Sequence, residues 1–296
     1  MNMTPTHGQC GSGIDVGLSA VPETMLWTLH NRALVANDPT KEWFRDDKTI
    51  EIYNAIDYDY EKSFGKANDS HGLRSWLFDG AVRDFWKKNP NGGTVVNFAE
   101  GLETQRFRVE NSRPEGSLMI SIDLPSAIKA REKFIKPDET HLHIAASILD
   151  FEEWIPLVPK DKPILFTAQG LLMYLEEEDI RRLFQTLAKE FPNSHLWFDG
   201  IASWLSNLTT RPKGWQLTKD YKAPCMPFGV NINIAPVLFQ SWVPGLQVEE
   251  VLWPFELADN WFFYLYVVPF LKCMPVIKNL QPGMVFDITF PSFSLN

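Results

Sequence analysis

The sequence predicts an α/β fold in which a mainly parallel sheet is covered by helices on both faces. Short apolar segments of strand length recur from residue 94 onward, and helical patterns separate most of them. Each of these segments is almost continuously apolar, which is typical of strands buried on both faces. With 296 residues, the chain is long enough for one large domain or two small ones.

The predicted elements follow the chain in a regular order. Strands are predicted at 94–98, 118–122, 141–147, 163–168 and 194–199, and two more at 246–253 and 284–290. Helices are predicted at 21–36, 74–89, 126–135 and 176–191. In each predicted helix the apolar residues recur at intervals of three and four, so that they lie on one face.

The rest of the chain divides into an arm, a cap and an insertion. Residues 1–20 are polar and glycine-rich and lack the apolar core of a signal peptide, so we expect a flexible arm. Residues 21–296 are expected to form a single domain whose first part, 21–90, is a helical cap. Residues 200–245 are rich in Trp, Pro, Gly and Thr and too long for an ordinary connection, which indicates a lid or substrate insertion.

Composition argues against several classes of protein. A formal net charge of −9 disfavours nucleic-acid binding, which needs a basic surface. The three cysteines form no CxxC pair and the histidines show no HxxxH spacing, so neither a disulfide framework nor a metal site is predicted. The most apolar stretch, 261–271, is shorter than the roughly 20 residues of a membrane span. We expect a cytoplasmic protein with a small-molecule substrate and leave its oligomeric state open.

The carboxyl ends of the predicted strands are the places to look for a site, because ligands bind there in an open parallel sheet. The first strand ends in "AEGLETQRFR" and the fourth in "AQGLLMYL". Asp123, Asp150 and Asp199 follow the second, third and fifth strands. For Asp199, pairing within the protein and contact with a substrate are equally good interpretations.

Asp123 stands 22 positions after Gly101. An acid about 20 residues beyond a glycine turn is where a nucleotide ribose is held, since a carboxylate can accept from both hydroxyls. Asp123 also precedes Pro125 and could cap the helix that begins there. The spacing alone supports both interpretations equally.

The turn after the first strand does not suit a dinucleotide. A pyrophosphate needs several glycines for close approach, whereas Gly101 is the single glycine in this turn. Glu100 and Glu103 would repel a pyrophosphate. Glu100 could instead pair with an ammonium group, which S-adenosylmethionine has and NAD lacks, so the turn favours the sulfonium cofactor.

The segment "VVNFAEGLETQRFRV" resembles the motif VVxLGAGLDTRxxR of the leucine carboxyl methyltransferase / polyketide-synthesis O-methyltransferase family. "IDLPSAIKARE" and "FTAQGLLMYLEEEDIRRLF" are similar to two further motifs of this family, and "TMLWTLHNRALVA" and "LRSWLFDGAVRDF" to its opening helices. "MPFGVNI" and "SWVPGLQVEEVLW" resemble its late segment before the sixth strand. The matched pieces keep their order from about residue 21 to 290.

The resemblance implies a class I S-adenosylmethionine-dependent methyltransferase with a Rossmann-like, seven-stranded sheet whose last strand is antiparallel. It also implies roles for individual residues. Gly101 would lie under the methionine part of the cofactor, Arg74 would bind its carboxylate, and Asp123 its ribose. Asp150, with Ile148 or Leu149, would meet the adenine, and Gln169 would lie near the ammonium group. The predicted cofactor-binding set also includes the neighbours Ala99, Glu100, Leu124 and Gly170.

Three residues depart from the family pattern. Ala99 replaces a glycine, Gln105 replaces the arginine of "DTR", and Gln169 replaces the acid of "EGLLMYL". The loss of the acid at 169 removes a charged partner for the ammonium group, and such a hydrogen bond contributes about 1.5–3 kcal/mol. We expect Glu100 to supply that charge from the other side, so that the loop is modified but works.

The predicted activity is methyl transfer to an oxygen of a small organic substrate, such as a secondary metabolite. A carboxylate acceptor needs no base at neutral pH, whereas a phenol needs one, which His or Tyr near the insertion could supply. No catalytic residue is evident, and Tyr174 and Arg211 are the candidates. Tryptophans of the insertion could form an aromatic wall for a flat acceptor.

Three alternatives remain at this point. The protein could methylate the C-terminal carboxylate of another protein, although the Trp-rich insertion suggests an enclosed pocket. A methyltransferase-like scaffold that has lost its activity and binds a ligand or partner is also compatible with Ala99, Gln105 and Gln169. An NAD-dependent oxidoreductase is disfavoured by the missing glycines.

Overall fold

The computed structural model describes residues 24–254, 257 and 283–292. Seven strands form one sheet in the order β3-β2-β1-β4-β5-β7-β6. They are β1 (Thr94–Phe98), β2 (Leu118–Asp123), β3 (His141–Ala145), β4 (Ile164–Ala168), β5 (His195–Ile201), β6 (Gln247–Val251) and β7 (Gly283–Thr289). The predicted arm at 1–20 and the apolar segment at 261–271 lie outside the described residues.

The directions of the strands confirm the predicted sheet. β1 pairs in parallel with β2 and β4, β2 with β3, and β4 with β5. β7 is antiparallel to both of its neighbours, β5 and β6. The strand order reverses between β1 and β4, so the carboxyl ends of these two strands form the edge at which a ligand site is expected.

The four predicted helices are found close to their predicted positions, and the described residues form further helices that the sequence analysis did not predict. The helices are α1 (Thr24–Asn37), α2 (Asp47–Ala55), α3 (Tyr60–Phe64), α4 (Ser70–Lys88), α5 (Gln105–Val109), α6 (Pro125–Arg131), α7 (Phe151–Trp154), α8 (Glu177–Glu190), α9 (Ser203–Thr209) and α10 (Ala235–Trp242). The predicted ones are α1, α4, α6 and α8. The helix predicted at 126–135 ends four residues early, at Arg131. Pro137 disfavours helical backbone at the residue before it, and the chain closes in tight turns instead.

The alternation of side chains along β1 explains how the sheet is covered. Val95 faces α4 and packs with Val82, Phe85 and Trp86. Val96 faces the opposite side, in the main core that includes Phe184 of α8. Because successive strand residues point to opposite faces, a strand that is apolar throughout must be buried on both.

The predicted insertion at 200–245 has two parts with different surroundings. Its first part contains α9 and a short bridge between Gln216 and Lys222, and α9 packs with the residues that follow β4. In its second part α10 packs against the sheet, with Phe239 and Trp242 in the main core. The first part is therefore the segment that can border a substrate.

A buried network of charges joins the cap to the turn after β1. The Glu103 carboxylate accepts hydrogen bonds from Ser75 Oγ of α4 and from the backbone N–H of Thr104. It is also paired with Arg32 of α1 at 2.9 Å and with Arg108 of α5 at 2.8 Å. Burial opposes ionisation, but the two arginines outweigh it and hold the pKa of Glu103 well below its usual range. This network ties the cap to the sheet.

We expect Glu103→Gln to lower the free energy of unfolding by about 3–5 kcal/mol, because it leaves two buried arginines without their shared counter-charge. Urea denaturation measures this loss. The matched control is Glu110→Gln, since Glu110 pairs with Arg113 at the surface and should change stability by less than about 0.5 kcal/mol. Equal effects of the two substitutions would contradict the proposed importance of the network.

The stability of the unsubstituted protein should fall in acid. The folded-state pKa of Glu103 lies below the value of an unfolded glutamate, about 4.3, so its stabilising contribution is present above that pH. The contribution is lost as the pH falls from there toward the folded-state pKa. Glu103→Gln should lack this part of the acid dependence, which denaturation curves at pH 7 and in acid would measure.

Candidate cofactor and acceptor site

The turn after β1 adopts the left-handed backbone of a glycine-rich loop at two positions. Gly101 has φ 53°, and Ala99 has φ 49° although it carries a side chain. A Cβ atom at Gly101 would come within 3.0 Å of the Met25 side chain of α1. Glycine is therefore required at 101 both by the backbone and by the close approach of the cap.

Two buried arginines hold the backbone oxygens of this turn. Arg131 Nη1 donates to the carbonyl oxygen of Gly101 at 2.8 Å and to that of Glu103 at 2.6 Å. Arg32 Nη2 donates to the carbonyl oxygen of Leu102 at 2.9 Å. The shape of the turn is thus set by side chains from α1 and α6 rather than by additional glycines.

Glu100, expected to face an ammonium group, is engaged within the protein through one of its oxygens, while its Oε1 has no hydrogen-bond partner among the described residues. Its carboxylate is buried, pairs with Arg131 at 3.0 Å and accepts a hydrogen bond from Ser121. Burial opposes ionisation, but Arg131, His141 and Ser121 outweigh it and lower the pKa of Glu100 to about 2. Glu100 and Glu103 are thus both paired with arginines inside the protein, which weakens the repulsion of a pyrophosphate expected from the sequence.

Asp123 lies at the carboxyl end of β2 and faces the same turn. Its two carboxylate oxygens accept from the backbone N–H groups of Gly101 and Leu124, both at 2.8 Å. Its side chain makes no capping bond to α6, whose N-cap residue is Leu124. Burial raises the pKa of Asp123, against the lowering effect of the two amides. Each oxygen keeps a second lone pair with which it can accept from a ligand.

The residues predicted to meet an adenine lie beyond β2 and β3. Leu124 is 47% exposed, which is unusual for a leucine at a strand end. Ile148 is buried and its carbonyl oxygen accepts from the Trp154 indole, whereas Leu149 is half-buried. Asp150 occupies the N-cap position of α7 without a side-chain capping bond, and it is exposed. Leu149 is therefore better placed than Ile148 for an apolar contact.

Arg74, Gly170 and Asp199 come together from three separate elements. Asp199 Oδ2 pairs with Arg74 Nη1 at 3.0 Å, and Asp199 Oδ1 accepts from the backbone N–H of Gly170. Gly170 has φ 64°, and a Cβ atom there would come within 2.8 Å of Arg74 Nη1. The arginine is thus held against the turn that follows β4, with its charge balanced by Asp199.

Polar atoms beside this cluster lack partners. Gln169 Oε1 and Arg74 Nε are both buried, and within the described ranges neither makes a hydrogen bond. A buried acceptor without a donor costs roughly 1–3 kcal/mol. Several described residues elsewhere also have such atoms, but here an unpartnered acceptor and an unpartnered donor both lie at the carboxyl edge of the sheet.

The two candidates for catalysis lie in different surroundings. Tyr174 follows β4 and is half-buried beside Met173, Leu205 and Trp215. The pKa of Tyr174 is raised to about 12, and burial is the main cause. The negative charge of Asp199 adds to this effect, and the positive charge of Arg74 opposes it. Arg211 is exposed in a turn of the insertion. Tyr174 is therefore the candidate that lies near the Arg74 cluster.

The sequence analysis missed a group of residues at the junction of the cap and the insertion. The Trp27 ring of α1 contacts the rings of His71 and Trp215 edge-on, at 5.2 and 6.0 Å between centroids. Asn31, one turn after Trp27, lies 2.7 Å from His71 Nδ1. These residues are far apart in the chain, and no spacing rule would have brought them together.

Comparisons with known proteins assign the fold to a class. A crystal structure of a proposed methyltransferase from Thermobifida fusca YX has a TM-score of 0.50, with 14% identity over 92% of this chain and 98% of that one. The order and directions of the strands are those of a class I S-adenosylmethionine-dependent methyltransferase.

The family follows from the sequence comparisons. The family model described as Leucine carboxyl methyltransferase matches residues 23–188, more than half of the chain. The chain belongs to the leucine carboxyl methyltransferase family, and it is an S-adenosylmethionine-dependent methyltransferase.

Two curated relatives match over most of their length. The tetracenomycin polyketide synthesis O-methyltransferase TcmP of Streptomyces glaucescens is 28% identical, over 92% of this chain and 93% of its own. The S-adenosyl-L-methionine-dependent methyltransferase dpfgK of Gibberella zeae is 24% identical, over 81% of this chain and 85% of its own. No helix among the described residues is long and apolar enough to cross a membrane.

We expect Ala99→Gly to stabilise the protein by about 0.5–1 kcal/mol. The left-handed backbone costs an L-residue about 1–2 kcal/mol, and the greater freedom of glycine in the unfolded chain offsets part of the gain. Thermal unfolding measures the change. Ala202→Gly is the control, because Ala202 has φ −67° and should lose stability through the same entropy term. A loss at both positions would show that Ala99 is not strained.

Proposed function

We propose that the protein transfers a methyl group from S-adenosylmethionine to a carboxylate oxygen of a small organic acid. The observation that supports the choice of a carboxylate is that neither candidate for catalysis is placed or suited to act as a base: Arg211 is exposed in the insertion, and Tyr174 is a half-buried phenol packed with Met173 and Trp215. At neutral pH this phenol keeps its proton, so it can donate a hydrogen bond but cannot remove a proton from an acceptor. A carboxylic acid is already ionised at that pH and requires no base.

The described residues fit the cofactor. Gln169 Oε1 is a buried acceptor without a donor, and an ammonium group of the cofactor would supply one. Arg74 lies beside it and would bind the cofactor carboxylate through the nitrogens that Asp199 leaves available. Asp123 would accept from the ribose hydroxyls with the lone pairs that Gly101 and Leu124 leave open.

Further contacts to the cofactor are proposed on the same basis. Ala99, Gly101 and Gly170 would contact its methionine part through their backbones, since all three have positive φ at the carboxyl edge of the sheet. Leu124 and Leu149 would cover the adenine with apolar side chains, and Asp150 would accept from its amino group. Glu100 is proposed to act indirectly, through the ion pair with Arg131 that holds the turn.

The chemistry is a displacement at the methyl carbon, which the sulfonium group of S-adenosylmethionine activates. The protein's own contribution is to hold the acceptor oxygen in line with that carbon and to exclude water. Trp27 packs against Trp215, and Tyr174 lies in the same cluster as Trp215, so we propose that these three aromatic residues contact the acceptor. They suit a flat, apolar acid. The name of one relative, a polyketide synthesis O-methyltransferase, agrees with an acceptor that is methylated on oxygen.

Methyl transfer to a matched pair of acceptors tests the proposal. With labelled S-adenosylmethionine, 2-naphthoate should be converted to its methyl ester and 2-naphthol should react more slowly. The turnover rate should be constant between about pH 6 and 9, because a carboxylate is ionised over that range. If the rate rises steadily with pH and 2-naphthol is the better acceptor, the methylated group is a phenol and the proposed carboxylate is wrong.

Gln169→Glu should tighten the binding of S-adenosylhomocysteine about tenfold in calorimetric titration. A charge-assisted hydrogen bond to the ammonium group is worth more than a neutral one by about 1 kcal/mol or more. The control is Gln247→Glu, an equal change of charge on the exposed residue at the start of β6. Unchanged or weaker binding by Gln169→Glu would place the ammonium group elsewhere.

A further inference from the structure

His71 is half-buried, and its ring contacts two side chains on one face of α1. Trp27 and Asn31 are four residues apart and therefore lie on the same side of that helix. The Trp27 ring meets the His71 ring nearly at right angles, and Asn31 Nδ2 lies 2.7 Å from His71 Nδ1. The ring therefore cannot turn without breaking contacts with the cap.

The hydrogen bonds of Asn31 determine which ring nitrogen carries the proton. The backbone N–H of Asn68 can only donate, and it lies 3.3 Å from Asn31 Oδ1. The amide oxygen is thereby assigned, and the amide nitrogen must be the atom that faces His71. Because that nitrogen can only donate, Nδ1 of His71 is the acceptor and the proton of the neutral ring is on Nε2.

The surroundings keep His71 neutral. Burial, with Arg74 and Arg32 nearby, lowers the pKa of His71 well below its usual value, although Glu103 opposes this. His71 is thus a neutral donor through Nε2–H. Across the described part of the chain, the His71 ring makes its hydrogen bond through Nδ1, and none is found for Nε2.

His71 lies near the place proposed for the acceptor. His71 and Arg74 are three residues apart on α4 and lie on the same face, and Arg74 reaches Gly170 and Asp199 at the carboxyl ends of the strands. On its other side, Trp27 connects His71 to Trp215 of the insertion. His71 therefore lies where the cap, the sheet and the insertion meet.

We propose that His71 binds the methyl acceptor by donating Nε2–H to one oxygen of its carboxylate, and that Asn31 is a positioning residue that locks this tautomer. The second oxygen of the carboxylate then keeps its lone pair for the methyl carbon, and His71 neither gains nor loses a proton. With Nδ1 engaged by Asn31, the ring cannot serve as a base for a phenol. The inference rests on the proposed function and adds to it the residue that recognises the acid.

Asn31→Asp gives the sharpest test. The new carboxylate keeps the bond to the Asn68 N–H, but it can only accept from His71, so the ring proton moves to Nδ1 and Nε2 becomes an acceptor. His71→Gln keeps a neutral N–H donor, whereas His71→Ala removes it. His195→Gln is the matched control, since His195 lies at the opposite end of β5 beside Asp287.

Nitrogen NMR of protein with labelled histidine reports the tautomer directly and does not depend on turnover. At pH 7 the unsubstituted protein should show His71 with its proton on Nε2, and Asn31→Asp should reverse this. Benzoate, added with S-adenosylhomocysteine present, should shift the Nε2 signal. A proton on Nδ1 in the unsubstituted protein, or a His71 signal that saturating benzoate leaves unchanged, overturns the proposal.

Kinetics with 2-naphthoate gives the second readout. His71→Ala and Asn31→Asp should lower kcat/KM about 10- to 100-fold, the effect of one hydrogen bond to a charged group, while His71→Gln and His195→Gln stay within about threefold. Calorimetric affinity for S-adenosylhomocysteine should be unchanged in all four variants. Equal losses in His71→Gln and His71→Ala would show a packing role and overturn the proposal.

The same experiments separate the two proposals. If the unsubstituted protein fails to bind S-adenosylhomocysteine, the proposed function fails at the cofactor. If it binds S-adenosylhomocysteine and methylates 2-naphthoate while Asn31→Asp behaves like the unsubstituted protein, the role of His71 alone is wrong.

Discussion

The Glu103 carboxylate is the constraint on which the arrangement of the site depends. It lies in the turn after β1, and each of its oxygens has two partners, which come from α1, α4 and the start of α5. Burying a carboxylate is unfavourable unless its charge is paired and its lone pairs are satisfied. That condition is met when the cap helices are docked on the sheet. The charge of one turn residue thus favours docking of the cap on the carboxyl edge, where Arg74 of α4 contacts Asp199 and Gly170.

The turn shows how a loop with one glycine keeps the shape that usually needs several. Ala99 takes a left-handed backbone, and Arg131 and Arg32 hold the carbonyl oxygens of Gly101, Glu103 and Leu102. Gln105, which replaces the family's arginine, donates to Asp79 of α4 and so still joins α5 to the cap. Gln105 therefore keeps a link to the cap, whereas Ala99 retains its backbone strain. Gln105 Oε1 and Gln169 Oε1 are both buried acceptors without a donor among the described residues, and at Gln169 we propose that the cofactor's ammonium group supplies it.

Much of the fold could be predicted because its signal is local. All seven strands were located to within a few residues. β1, β2 and β4 are buried on both faces and therefore apolar almost throughout, whereas β3 and the edge strand β6 are partly exposed and carry polar residues. The ends of helices were less certain, as α6 shows, because they depend on turns and caps of a few residues. Asp123, Asp199 and Gly170 could be assigned to the ligand edge for the same reason: each stands directly after a strand, and parallel strands end at one edge.

The sequence by itself determined the class of fold and the family, since strand patterning and motif order are properties of neighbouring residues. Only the tertiary structure decided what each polar side chain faces. It showed that Glu100 pairs with Arg131, that Asp199 pairs with Arg74, and that the Asn31 amide lies against Nδ1 of His71. The physical reason is distance along the chain. Asp199 and Arg74 are 125 residues apart and Asn31 and His71 are 40 apart, so these contacts exist only once the helices and strands have packed.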